Sequence, residues 1–281
     1  MTVVRTGDLV AEASRRHRAV AAVNVITLEH AEAIAQAAGA TGTAVIMQIS
    51  ENAVRFHGGL LEPVALATAA VARHCPVPVA LHLDHVTDPD LLAQAAGSVF
   101  SSVMYDAGAL PHEENIERTR EAVAFARGAG LWLEAELGYV GGKADAPSSA
   151  HQPGVRTDPD EAAAFVAATG VDALAVAVGS SHAMTSRTAH LDAELIARLR
   201  DRLPVPLVLH GSSGVSEDEL RLAVRAGIAK VNYGTGLNLA MTAAIRHCLQ
   251  ADEALVDPRK YLAPARDAMA DTVGALLGAL G

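Results

Sequence analysis

The sequence predicts an α/β fold, a single-domain (β/α)8 TIM barrel in which eight parallel strands alternate with helices. Short apolar runs recur eight times along the 281 residues, and a helical pattern follows most of them. Near-continuous apolar runs indicate strands covered on both faces, and their alternation with helices implies right-handed parallel units. Eight such units close a barrel, and an open doubly wound sheet is the competing fold. No linker or composition shift divides the chain, so we expect one domain over residues 1–281.

The predicted strands cover residues 22–26, 44–49, 79–83, 99–105, 131–137, 173–178, 206–209 and 228–232. Three helix starts support this alternation of strands and helices, because Asp88 and Asp158 each precede a proline and Ser216 precedes Glu219 by three residues. Residues 7–17 are predicted to form a helix that closes the barrel bottom. A terminal helix over 263–280 is predicted to pack outside the barrel.

Composition and charge exclude several classes of protein. The formal net charge is −10, and the basic residues Arg15, Arg16 and Arg18 form the one cluster. This argues against binding to nucleic acid or to an anionic membrane surface. The first 20 residues lack an apolar segment, and no run is long enough to span a membrane, so we expect a cytoplasmic protein. Cys75 and Cys248 are too few for a disulfide framework and are expected to be buried thiols.

Three histidines lie at or just past the ends of separate predicted strands, where barrel enzymes place catalytic groups. They are His85, His182 and His210. Three neutral imidazoles that converge from different strands form the ligand set of a zinc site with a position open to substrate. The alternative is chance, since the chain has 12 histidines. His82 is predicted to be a hydrogen-bonded histidine of the barrel interior.

Carboxylates follow the same strand ends. Asp84 directly precedes His85, and Asp106 follows the fourth predicted strand. Asp84 could move a proton or could accept a hydrogen bond from a metal ligand. Glu134 and Glu136 alternate on the fifth strand and therefore share one face, which we expect to point inward. An inward acid needs a partner, and this is either a cation or the arginine of an ion pair.

Two further segments indicate a substrate site. The loops after strands seven and eight contain Gly211, Ser212, Ser213 and Gly214, and then Asn232 to Thr235. Glycines and hydroxyl side chains in these loops are typical of a phosphate site in barrels. The stretch between Tyr139 and Thr157 lacks periodicity and is predicted to be a mobile active-site loop.

Taken together, these segments resemble the class II, zinc-dependent ketose-bisphosphate aldolases of the fructose- and tagatose-bisphosphate type. Matches run in order from about Asn24 to the C-terminal helix. The motifs that carry the resemblance are LHLDH at 81–85, SVMYD at 102–106 with EN at 114–115, EAELG at 134–138 with GG at 141–142, DP at 158–159, DALA at 172–175, VLHG at 208–211 and DPR at 257–259.

The resemblance implies a lyase that cleaves a phosphorylated ketose reversibly to dihydroxyacetone phosphate and an aldehyde through a zinc-stabilised enediolate. It implies zinc on His85, His182 and His210, with Asp84 moving the proton of the C4 hydroxyl. Asp106 and Glu136 match alternative metal positions, which implies room for a second divalent or monovalent cation. It also implies a homo-oligomer, dimer or tetramer, in which Arg259 reaches into a neighbouring subunit. The implied substrate-binding residues are Asn24, Ser50, Ala183, Gly211, Ser212, Ser213, Asn232, Tyr233, Gly234, Thr235 and Arg259.

Four positions depart from the family pattern. Ala144 stands where members usually carry an acidic residue, and Asp145 is then the candidate catalytic base one position later. Ala183 and Ser212 each stand where glycine is usual, and Gly234 stands where Asp or Ala precedes Thr235. These changes leave open which sugar phosphate is cleaved.

Two other functions remain as alternatives at this stage. One is a Schiff-base aldolase, because Lys230 lies in the eighth strand on the face shared with Asn232. The other is a non-catalytic subunit that binds a sugar phosphate and supports another chain. The histidine triad and Asp84 argue against the second alternative, and Ala144 argues for it.

Overall fold

A closed barrel of eight parallel strands forms the centre of the protein, and neighbouring strands pair in sequence order. This computed structural model describes residues 3–138 and 156–281. The (β/α)8 prediction is confirmed, and the open doubly wound sheet is wrong. The strands are β1 Val20–Asn24, β2 Val45–Ser50, β3 Val79–Val86, β4 Ser102–Tyr105, β5 Trp132–Leu137, β6 Ala173–Val176, β7 Leu207–Leu209 and β8 Ile228–Tyr233.

Helices surround the barrel, and three of their N-termini are capped as the sequence predicts. Asp88, Asp158 and Ser216 are the N-caps of three helices, and each side chain accepts a hydrogen bond from a backbone N–H of the first turn. The described helices are α1 Thr6–Arg15, α2 Leu28–Thr41, α3 Glu51–Phe56, α4 Leu61–His74, α5 Pro89–Ala95, α6 His112–Gly128, α7 Pro159–Thr169, α8 Ala193–Arg202, α9 Glu217–Ala226, α10 Thr235–Ala251 and α11 Arg259–Leu280.

Four predicted strands differ from the observed ones by two residues or more at an end. β3 runs three residues further than predicted, to Val86, and β6 ends two residues earlier, at Val176. β1 begins and ends two residues earlier than predicted, because residues 25–27 leave the sheet and lead to α2, whose N-cap is Thr27. β4 begins at Ser102 and not at residue 99, although Phe100 is buried. Apolar side chains that pack beneath a connection resemble a buried strand in sequence, so hydrophobicity alone misplaced these ends.

The barrel interior is layered, because alternate residues of each strand point inward. The lowest layer is apolar and includes Val20, Ile46 and Ala80, which pack with Val10 of α1. Two residues further along β3 lies His82, which is fully buried, as predicted for an interior histidine, and bonds through Nδ1 to Ser102 Oγ at 2.7 Å. Its Nε2 has no hydrogen-bond partner among the described residues and lies 3.7 Å from Asp84 Oδ1. The next inward residue of each strand reaches the rim at the carboxyl ends of the strands.

The terminal helices take the predicted places. α1 packs against β1, β3 and β8 at the barrel bottom, while α11 packs outside against α2, α9 and α10. Cys75 is buried, and Cys248 is half-buried; both are free thiols. No helix within residues 3–138 and 156–281 is both long and apolar enough to cross a bilayer.

Candidate active site

A local irregularity in β3 brings two consecutive side chains, Asp84 and His85, to the same rim. Neighbouring residues of a regular strand face opposite ways. Here the pairing of β3 with β4 shifts register between Leu83 and Val86, and His85 has a left-handed φ of 50°. Such a bulge redirects a side chain and is frequent beside active sites. The carboxylate and the imidazole therefore both face the site.

The three predicted histidines converge with one carboxylate. One ligand atom from each of His85, Glu136, His182 and His210 lies within 4.8 Å of the others. The ring centroids of the three histidines are 5.0–5.7 Å apart. These residues come from β3, β5 and the ends of β6 and β7, which the closed barrel brings together. The predicted ligand set is thus assembled in space, and chance does not explain the positions of these histidines at the strand ends.

The donor set fits a divalent cation of the zinc type. His182 Nε2 is buried, and among the described residues it has no hydrogen-bond partner, although Glu136 Oε2 lies 3.9 Å away. A buried ring nitrogen without a partner costs free energy unless an ion or another group satisfies it. Burial lowers the pKa of His182, which favours the neutral ring that a metal requires.

Carboxylates orient the other two rings. His85 Nδ1 bonds to Asp106 Oδ2 at 3.0 Å, and His210 Nε2 bonds to Glu134 Oε1 at 2.9 Å. His210 Nδ1 then lies 2.9 Å from Glu136 Oε2, inside the group of four donors. Asp106 is outside the group of four and contacts His85, an arrangement that fixes the orientation of a metal ligand. Burial would lower the pKa of His210, but hydrogen bonds to Glu134 and Glu136 outweigh burial and raise this pKa to about 9.

Glu134 and Glu136 both point inward, as predicted, but their partners differ. Glu134 Oε1 accepts from His210 Nε2 at 2.9 Å, and its other oxygen accepts from Lys230 Nζ at 2.7 Å. Glu134 and Lys230 are fully buried. Lys230 Nζ also donates to Asn232 Oδ1 at 2.7 Å and does not line the cavity described below. Its geometry is that of a buried ion pair, so it gives no support to the Schiff-base alternative.

Two amide side chains hold Asp84. Gln48 Nε2 donates to Asp84 Oδ2 at 3.2 Å, and Asn232 Nδ2 donates to Asp84 Oδ1 at 3.3 Å. Burial would raise the pKa of Asp84, but the nearby rings of His85 and His82 outweigh burial and hold this pKa well below its usual range. Asp84 is therefore an oriented carboxylate that stays ionised.

Asp84, His85, Asp106 and His182 line a cavity of about 420 Å³, a size that suits a small ligand. His210 and Glu136 are buried and do not line it. Arg259 does not line it; this arginine is 89% exposed and pairs with Asp257. Asp145, Ala144 and most of the predicted mobile loop lie outside the described residues. The predicted residues that do line the cavity are Asn24, Ser50, Asp84, His85, Asp106, His182, Ala183, Gly211, Ser212, Ser213, Asn232, Tyr233, Gly234 and Thr235.

Sequence reasoning missed six lining residues. Gln48 could have been found, since it lies two positions before Ser50 on β2 and therefore faces the same way. The others lie in loops or helices next to strand ends, where periodicity gives no signal. The six are Gln48, Glu51, Asn52, Arg55, Thr87 and Asn238.

The two predicted phosphate loops are joined to each other. Ser212 Oγ donates to the backbone oxygen of Asn232, and Gly236 N donates to Ser213 Oγ at 3.1 Å. Gly211 has a φ of 67°, and a Cβ there would lie 2.6 Å from the backbone of Ser181, so only glycine fits. Ser212 thus has a structural role that a glycine could not fill.

Ala183 adopts a left-handed φ of 57° immediately after His182. This conformation costs a residue with a Cβ about 1–2 kcal/mol. We expect Ala183→Gly to stabilise the fold by up to about 1 kcal/mol, because relief of strain exceeds the entropy that glycine adds to the unfolded chain. Urea unfolding of the metal-free protein measures the change. The control is Ala167→Gly on the exposed side of α7, which should destabilise the fold by about 0.5–1 kcal/mol. A similar loss of stability in both variants would contradict the backbone strain at Ala183.

Comparisons with known proteins agree with this geometry. The family model described as "Fructose-bisphosphate aldolase class-II" matches residues 4–281. A fructose-bisphosphate aldolase of Geobacillus stearothermophilus is 36% identical over 274 residues, which cover 97% of this chain and 95% of that protein.

Two solved structures are similar across nearly their whole lengths. The YdjI aldolase from Escherichia coli K12 has a TM-score of 0.83 and 31% identity, with 99% of this chain and 97% of that chain covered. A putative fructose-1,6-bisphosphate aldolase from Coccidioides immitis has a TM-score of 0.84 and 29% identity, with 98% and 96% covered. On its sequence, its fold and the donors at its barrel rim, this chain belongs to the class II fructose-bisphosphate aldolase family and is a metal-dependent aldolase, a carbon–carbon lyase.

Proposed function

We propose that this enzyme reversibly cleaves a phosphorylated ketose, similar to fructose or tagatose bisphosphate, into dihydroxyacetone phosphate and an aldehyde. The observation that carries the proposal is the group of donors that includes His85, His182 and His210, because His85 and His182 line one cavity together with Asp84. The names of the relatives support a fructose-bisphosphate-like substrate.

Zinc is the proposed cation, with His85, His182 and His210 as its ligands, since three imidazoles with one open position are a catalytic zinc set. When bound, zinc would supply a Lewis acid that polarises the ketone oxygen. Glu136, which lies in the same group of donors, and Asp106, which contacts His85, stay predicted ligands of an alternative position or of a second divalent or monovalent cation.

Asp84 carries the proposed proton transfer. Its carboxylate accepts the proton of the C4 hydroxyl as the C3–C4 bond breaks and the aldehyde forms at C4. The electron pair of that bond stays with the three-carbon fragment, which then takes a proton at C3. Gln48 and Asn232 keep both oxygens of Asp84 in place during this transfer.

The loops after β7 and β8 are the proposed site of the triose phosphate. Gly211, Ser213 and Gly234 line the cavity there, and so does Thr235, the first residue of α10. The N-terminus of a long helix beside two loops of small residues suits a phosphate. Asn24, Ala183, Ser212, Asn232 and Tyr233 complete the proposed substrate contacts at this end.

Ser50 and Arg259 are the proposed contacts of the distal end, with Arg259 supplied by a second subunit. α10 supports a homo-oligomer, because Leu237 is its one buried residue in the chain alone and Leu239 is 44% exposed. A monomer mass in light scattering would contradict the homo-oligomer. The cytoplasmic location stays a prediction from the sequence.

Removal of the metal tests the proposed reaction. We expect EDTA to abolish triose-phosphate release from a panel of ketose mono- and bisphosphates, and zinc to restore it. Metal analysis should give about one zinc per chain before chelation. Failure of the zinc-loaded protein to cleave any member of the panel would contradict the proposed function, and full activity after zinc removal would contradict its mechanism.

A further inference from the structure

Arg55 of α3 is the one lysine or arginine among the described residues that line the cavity. Three carboxylates, Glu51, Asp84 and Asp106, share this lining, and the whole chain has a net charge of −10. An anionic group on a substrate would be repelled here unless a local cation received it. The donors on Arg55 are therefore the natural partner for an anion that enters away from the phosphate loops.

Glu51 holds the Arg55 side chain in place. Arg55 Nη2 donates to Glu51 Oε1, and Arg55 Nη1 donates to Asn52 Oδ1 at 3.4 Å. Glu51 is buried and also accepts from Thr87 N at 2.6 Å, from Thr87 Oγ1 at 3.0 Å and from Asp88 N at 3.2 Å. The loop after β3 thus donates hydrogen bonds to both oxygens of Glu51, and the carboxylate that is fixed in this way holds the Arg55 guanidinium in place.

The remaining donors of Arg55 are accessible. Its side chain is 65% exposed, whereas that of Glu51 is 6% exposed. A guanidinium has five N–H donors in a planar fork, and two of the Arg55 nitrogens make the contacts described above. The donors left over can form the paired hydrogen bonds that phosphate and carboxylate accept.

The position of Arg55 in the barrel indicates which end of the substrate it meets. The proposed phosphate loops follow β7 and β8, and the metal-ligand group comes from β3, β5 and the segments that follow β6 and β7. Arg55 follows β2, which in the closed barrel is two strands from β8 and three strands from β7. A ketose with one phosphate in those loops and its carbonyl at the metal ligands would extend its other end toward Ser50, Arg55 and Thr87.

We propose that Arg55 is a specificity-determining residue that binds an anionic group, a phosphate or a carboxylate, on the distal carbon of the ketose or aldehyde. This assignment rests on the proposed aldolase function and adds a specificity-determining residue at the distal end of its site. Arg55 acts within its own subunit, in contrast to the role proposed for Arg259.

The test compares substrates that differ only at the distal end. The zinc-loaded full chain is given a hexulose 1-phosphate, its 1,6-bisphosphate and the matching 1-phosphate that ends in a carboxylate. We expect the wild type to favour one or both dianionic chains in kcat/KM. Arg55→Gln should reduce that preference about 10- to 100-fold, the size expected for paired charge-assisted hydrogen bonds. Its kcat/KM for the 1-phosphate should change less than about threefold.

Two arginine variants serve as controls. Arg221→Gln removes another partly exposed arginine that pairs with a glutamate four residues away, Glu217, but lies outside the cavity lining, so the preference should stay intact. Arg259→Gln tests which of the two arginines binds the distal group. If Arg259→Gln lost the preference and Arg55→Gln kept it, the proposal would be overturned. An equal loss for all substrates in Arg55→Gln would also overturn it, since it would indicate a structural role. If Arg55→Gln removes the preference for the bisphosphate, the bound group is a phosphate. If it removes the preference for the chain that ends in a carboxylate, the bound group is a carboxylate.

Binding of uncleavable analogues separates this proposal from the proposed reaction. Calorimetry with a hexitol 1,6-bisphosphate and the hexitol 1-phosphate requires no turnover. A preference for the bisphosphate that Arg55→Gln removes supports the assignment of Arg55 even if no ketose is cleaved. If the wild type binds the two hexitols equally, Arg55 does not bind a distal phosphate. If turnover then also shows no preference for the chain that ends in a carboxylate, the proposal as a whole is overturned.

Discussion

Asp84→Asn is expected to lower kcat for ketose-phosphate cleavage by about 10²- to 10⁴-fold, the usual contribution of a positioned general base. The substitution keeps the side-chain shape and removes the negative charge that accepts the C4 hydroxyl proton. Asp84 is not one of the four clustered donors, so zinc content should stay near that of the wild type. Steady-state kinetics and metal analysis on the same preparation measure both quantities.

Asp106→Asn is the matched control, because it removes a neighbouring carboxylate of the same cavity. Asp106 bonds to His85 Nδ1, and loss of such an orienting contact typically weakens metal affinity by about 10- to 100-fold. Its activity should therefore recover in excess zinc, whereas that of Asp84→Asn should not. If Asp84→Asn retained more than about a tenth of wild-type kcat, the proton would have another acceptor.

Asp145 is the other carboxylate proposed to move a proton, and its support is sequence alone. It lies one position after Ala144, where the family usually carries an acid. The proposed role is proton transfer at C3 of the three-carbon fragment. Asp145→Ala with undiminished turnover would remove Asp145 from the mechanism.

The sequence predicted the barrel and the convergence of its histidines because both follow from short-range patterns. Apolar runs located all eight strands, and the strand ends located His85, His182 and His210. In a closed parallel barrel the carboxyl ends of all strands meet at one rim, so a residue at a strand end is also a residue near the site. Two-residue alternation likewise predicted that Glu134 and Glu136 point inward.

What the sequence could not predict depends on backbone irregularity and on contacts between distant segments. A regular β3 would send Asp84 and His85 to opposite faces, and the register shift that unites them has no sequence signal of its own. Arg55 lies on a six-residue helix after β2, and its place in the cavity depends on Glu51 bonding to the loop after β3. The partner of Glu134 was predicted to be a cation or the arginine of an ion pair. It is the ammonium of Lys230, and the sequence gives no signal for a contact between residues 96 positions apart.

The buried pair of Glu134 and Lys230 leads to the largest expected effect on stability. Both side chains are fully buried, and the Lys230 ammonium donates to Glu134 and Asn232. Glu134→Gln would leave that ammonium without a countercharge, which typically costs about 3–5 kcal/mol. Unfolding by urea in the presence of EDTA measures this cost apart from metal binding. The exposed Arg118–Glu121 pair is the control, and Glu121→Gln should cost less than about 1 kcal/mol.

A double variant and a pH series distinguish lost charge balance from lost packing. Glu134→Gln combined with Lys230→Met removes both charges, so it should be more stable than Glu134→Gln alone. Burial would raise the pKa of Glu134, but Lys230 and His210 outweigh burial and lower this pKa from 4.5 to about 2. The stability that its charge supplies is therefore complete above pH 4.5 and is lost as the pH falls toward 2. The gap between wild type and Glu134→Gln should shrink over that interval, and a gap that is constant with pH would mean that packing, not charge, accounts for it.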